Sequence, residues 1–113
     1  MIRNQTNNMV LCQKELIARS FFQRLTGMTT RKFSNNLDGI VFPDCNAVHT
    51  FGMRFALDII FVSKKNNAVV SIFRKIKPWR IVAAGVNNCF TIELPAGTMA
   101  ENLCKTGDIL EFS

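Results

Sequence analysis

The chain has 113 residues, 48% of them apolar, with a mean hydropathy of +0.13 and a net charge of +6, which fits one domain over residues 1–113 and is too apolar for a disordered chain. No apolar run reaches the 18 residues of a membrane helix, and the polar start "MIRNQTNNMVLCQKELIARS" lacks the apolar core of a signal peptide, so the expectation is a cytoplasmic protein without membrane insertion. Four cysteines without a CxxC pair and a single histidine argue against a structural metal, and nothing in the chain calls for a cofactor.

Along the chain, "MVLC" (Met9 to Cys12) reads as a short strand. Leu16, Ile17, Phe21, Phe22 and Leu25 then recur near a 3.6-residue period, with Gly27 placed to stop a helix, so the spacing predicts a helix over 17–26. From residue 39 onward, short apolar, β-branched runs alternate with turn formers: "GIVF", "AVHTF", "LDIIFV", "AVVSIF", "FTIEL" and "DILEF", separated by "PDCN", "KKNN", "KIKP", "PAG" and "TG". "GTMAENL" has room for one helical turn. The pattern predicts a mostly β fold: a compact antiparallel barrel or sandwich of about six or seven short strands with one short N-terminal helix.

Charge is unevenly distributed. Residues 1–80 carry 13 basic and 4 acidic side chains, whereas residues 81–113 carry one basic and four acidic. "FRKIKPWR" places Arg74, Lys75, Lys77 and Arg80 around Trp79, an arrangement compatible with weak nucleic-acid or polyanion binding or simply with a solvated surface.

The segment "NAVHTFGMRFALDIIFV" (46–62) puts His49 and Asp58 in an apolar, aromatic run. Lone ionisable groups are costly to bury, so each is either hydrogen-bonded structurally or part of a site. A hairpin turning at Met53 and Arg54 would set positions 49 and 58 face to face and bring the two side chains within hydrogen-bonding reach. Two uses follow. Non-catalytic binding of a small molecule or peptide-like partner would use a groove lined by His49, Thr50, Met53, Arg54 and Asp58, with Trp79 and Arg80. Alternatively, Cys45, His49 and Asp58 imitate the nucleophile, base and acid of a small hydrolase or transferase. The chain is expected to be a monomer or a weak homo-oligomer.

Five ordered blocks, "RSFFQRLTGM", "CNAVHTFGMRFALDIIFV", "KPWRI", "TIELPAGT" and "TGDILEF", resemble the family known as domain of unknown function 192 over roughly residues 9–113. The resemblance is nearest to the branch reading Cys-Asn-x-hydrophobic-His-Thr-Phe, with Cys45, His49, Thr50, Phe51, Met53 and Asp58 on motif positions. Ala56 stands where the family usually has proline. Many relatives look exported, whereas this chain resembles a cytoplasmic branch. The resemblance implies a small, mostly β domain and no particular activity.

Overall fold

The computed structural model describes residues 1–18, 33, 34, 37–51, 53–101 and 103–113. In chain order the strands are β1 (Ile2–Asn4), β2 (Val10–Cys12), β3 (Glu15–Ile17), β4 (Gly39–Phe42), β5 (Ala47–His49), β6 (Leu57–Ser63), β7 (Val69–Ile76), β8 (Ile81–Ala83), β9 (Cys89–Pro95) and β10 (Leu110–Phe112). A single 3₁₀ turn, Thr98–Glu101, occupies the place expected for one helical turn. Three sheets result: β10-β1-β2, β3-β4-β9-β6-β7 and β5-β8.

The five-stranded sheet is the centre. β6 and β9 pair antiparallel over seven positions, from Leu57↔Pro95 to Ser63↔Cys89, and six of the seven residues in each are buried. Runs such as "LDIIFV" are apolar on both faces because both faces are covered. On one side Ile60, Val62, Phe90, Ile92 and Leu94 pack with Ile2, Leu11, Cys12 and Leu110 of the three-stranded sheet. On the other, Leu57, Ile59, Phe61, Ile40 and Phe42 pack with Met53 and with Val48 and Val82, the inward residues of β5 and β8. The three-stranded sheet approaches closely: a Cβ on Gly39 would lie 2.6 Å from Cys12 Sγ, so this β4 position admits only glycine without a shift.

Several expectations are corrected. The described residues hold ten strands in three sheets and no closed barrel, since the five-stranded sheet ends on β3 and β7. Not every pairing is antiparallel, because β3 runs parallel to β4 through Leu16↔Ile40. Ile17, expected to open a helix, is the last residue of β3; from residue 19 onward the predicted helix lies outside the described residues. Leu16 and Ile17 fit either period, and pairing with Gly39–Val41 decides the issue for them. The 46–62 hairpin does not form: β5 pairs with β8 and β6 with β7 and β9. Met-Arg offers no left-handed turn residues, and each half finds a partner farther along the chain.

Candidate functional site

β5 and β8 form a two-stranded ladder of three pairs, one inward, Val48↔Val82, and two outward, Ala47↔Ala83 and His49↔Ile81. Period-2 alternation therefore sends His49 and Ile81 to solvent, Ile81 with 69% of its surface exposed. The chain then turns, and Thr50 becomes the anchor. Its N–H donates to Arg80 O at 2.8 Å, and its carbonyl accepts from Trp79 N at 3.1 Å and Met53 N at 3.2 Å. Its hydroxyl donates to Lys77 O at 2.7 Å and accepts from Arg80 N at 2.9 Å. Thr50 is fully buried, so these bonds fix the 77–80 segment from below.

What this clamp presents is aromatic. Phe51 and Trp79 stack at 5.6 Å and 27°, and His49 tilts against Phe51 at 5.0 Å. Trp79 is 65% exposed and Phe51 42%. Trp79 also sits at φ 64°, a left-handed conformation that costs a bulky residue about 1 kcal/mol. Arg80 folds its guanidinium toward Pro78 O and Trp79 O at 3.5 and 3.4 Å. Arg54, Lys75 and Lys77 are exposed as well.

Asp58 lies elsewhere. It is fully buried on β6, where the β6–β7 register shifts between Leu57 and Ile59, opposite Lys75 at φ 53°. Such a bulge turns one N–H out of the ladder, and Asp58 receives it: Lys75 N donates to Oδ1 at 2.8 Å and Met99 N to Oδ2 at 2.8 Å. Both oxygens thus serve the backbone, and no hydrogen bond or ion pair joins Asp58 to His49. Met53 is a core residue. Of the residues read as binding, the structure brings together His49, Thr50, Trp79 and Arg80, and places Asp58 and Met53 beneath the surface.

The nucleophile, base and acid set is not assembled. Cys45 Sγ donates to Ala47 O at 2.9 Å rather than to His49, and Asp58 is committed to amides. Burial raises the thiol of Cys12, next to Asp38, and pushes Cys104 up to about 12. Burial also raises Cys89. All four cysteines are free. Among the described residues no cluster of His, Cys, Asp and Glu could hold a metal ion.

Sequence reasoning missed two residues. Phe51 is absent from the groove residues the sequence suggests, and the turn after His49 brings it against Trp79. Glu93 was passed over inside "TIEL". It is 4% exposed on β9 between Ile40 and Ile59, with no hydrogen bond to its carboxyl among the described residues, and burial pushes it up to about 7. A charged residue in a strand buried on both faces was the available signal.

The sequence profile of domain of unknown function 192 (DUF192), an uncharacterised ACR, matches residues 2–112. No curated protein matches the chain. Among solved structures, a protein of unknown function from Novosphingobium aromaticivorans superposes with a TM-score of 0.73 at 24% identity, covering 87% of this chain and 74% of that one. A protein from Sinorhizobium meliloti described as a candidate transcription regulator superposes with a TM-score of 0.71 at 22% identity, covering 86% and 79%. At these identities the likeness shows the fold alone.

Proposed function

The chain belongs to the DUF192 family, and from that premise we propose that it is a non-catalytic binding module whose partner, a small molecule or peptide-like segment, docks on the surface formed by His49, Phe51, Trp79 and Arg80. Within the family we place it on the branch carrying the Cys-Asn-x-hydrophobic-His-Thr-Phe motif. One observation carries the reading: a tryptophan held exposed, in a left-handed conformation, in a segment that four hydrogen bonds from Lys77, Trp79 and Arg80 tie to one buried threonine. Strain and exposed aromatic surface both lower stability, and they concentrate where a partner is met. The chemistry favours a flat apolar group stacked on Trp79 and Phe51, with an anionic group near Arg80 and Lys77. Asp58 supports the surface indirectly, by fixing the β7 bulge that precedes Lys77.

A second reading has its own support. Arg74, Lys75, Lys77 and Arg80 neighbour Trp79 in the chain, and stacked aromatics among cations also suit single-stranded nucleic acid. The two readings separate in a titration followed by the emission of Trp79, the chain's only tryptophan. A peptide alternating Asp and Phe should change the emission at submillimolar concentration and keep its effect at physiological salt, and Phe51→Ala should abolish it. Oligothymidylate binding that falls steeply with salt would favour the polyanion reading. Silence toward both probes would sink the surface as a binding site.

A further inference from the structure

A cavity of about 260 Å³ opens where the five-stranded and three-stranded sheets meet. It shares no residue with the aromatic surface. Its walls are Ile17 at the end of β3, Val41 of β4, Pro43, Phe90 of β9 and Phe112 of β10; its remaining lining residues are Lys64 and Asn67 of the β6–β7 turn. Phe90 and Phe112 meet edge to face at 5.5 Å and 67°, so the aromatic wall is fixed by mutual packing.

The polar residues are the informative part. Asn67 sits at φ 59°, its N–H donating to Ser63 O and its carbonyl accepting from Leu110 N, each at 2.9 Å. Its backbone is thereby tied to β6 and β10, and its side-chain carboxamide has no hydrogen-bond partner among the described residues. Lys64 is likewise held by its backbone, through Asn88 O at 2.9 Å. Its ammonium makes one loose ion pair, with Asp44 at 3.4 Å, and the Asp44 side chain is 76% exposed. An exposed pair of that kind contributes little and is readily exchanged for a better acceptor. An apolar cavity supplied with one cation and one spare amide donor is the arrangement that orients an amphipathic acid. We propose that this cavity binds a small carboxylate with an apolar body, its alkyl or aryl part between Val41, Phe90 and Phe112 and its carboxylate on Lys64 and Asn67. The volume falls just below the range for drug-sized ligands, roughly 300 Å³ upward, which points to a short-chain acid.

Amide NMR of the full chain titrated with octanoate, octylamine and 1-octanol tests this. Octanoate should shift Val41, Lys64, Asn67, Phe90 and Phe112 and saturate, while octylamine should not. Lys64 is exposed in a turn, so Lys64→Met leaves the fold intact; it should weaken octanoate by roughly tenfold, the value of one charge-assisted hydrogen bond, and leave 1-octanol unchanged. Equal binding of octanoate and octylamine, shifts confined to other residues, no shifts at all, or an unaltered octanoate affinity in Lys64→Met would each overturn the proposal.

Discussion

β6 and β9 on one hand and β5 and β8 on the other are neighbouring antiparallel pairs built from similar apolar and aromatic residues, yet the first buries its side chains and the second displays half of them. The difference lies in length and cover. Seven paired positions with a sheet packed on each face leave no route to solvent, so even Asp58 and Glu93 are enclosed. Three paired positions over one face leave only Val48 and Val82 inside, and the turns beyond carry Phe51 and Trp79 outward. Within the buried pair the two carboxyls teach a further contrast, since Asp58 accepts two amide hydrogens and Glu93 accepts none.

The largest expected effect comes from breaking the satisfied carboxyl. Asp58→Ala strands the Lys75 and Met99 amides without acceptors and should cost about 4 kcal/mol in urea unfolding, with Asp58→Asn, which keeps one acceptor oxygen, falling between. A variant as stable as the parent would mean that the β7 bulge does not depend on Asp58.

Glu93 should behave in the opposite sense. Its folded value of about 7 lies above the ordinary 4.5, so the folded protein binds more protons than the unfolded chain between those values. Stability from this group is therefore fully present below pH 4.5 and lost as pH rises toward 7, by about 3 kcal/mol. Glu93→Gln should flatten that part of the pH profile and be more stable than the parent at pH 8. A parent whose stability rises from pH 5 to 7, with no change of slope in the variant, would contradict the isolation of this carboxyl.

At the displayed pair the effects shrink. Trp79→Gly should be about 1 kcal/mol more stable than Trp79→Ala, because only glycine adopts φ near +64° freely. Equal stabilities would show that position 79 carries no strain. Smallest of all, Trp79→Ala itself should cost under about 1 kcal/mol, the worth of one exposed ring stack, although it removes partner binding. A large loss of stability would make Trp79 a structural residue and turn the contrast between the two strand pairs into one of degree.

Local pattern was enough to locate β2, β4, β5, β6, β7, β9 and β10, because each is a short apolar or β-branched run bounded by turn formers, and those preferences act on the chain before any contact is made. The sequence also singled out His49, Thr50, Trp79 and Arg80. It left β1, β3 and β8 unread, since each owes its existence to a partner: Leu110–Phe112 for β1, Gly39–Val41 for β3, Ala47–His49 for β8. The pairing of His49 with Ile81, 32 residues on, was likewise a tertiary decision, while Asp58 on β6 lies between β7 and β9, so two residues nine apart in the chain do opposite work. Burial, too, belongs to the assembled layers, because whether a carboxyl meets water or an amide depends on what covers its strand rather than on its neighbours in sequence.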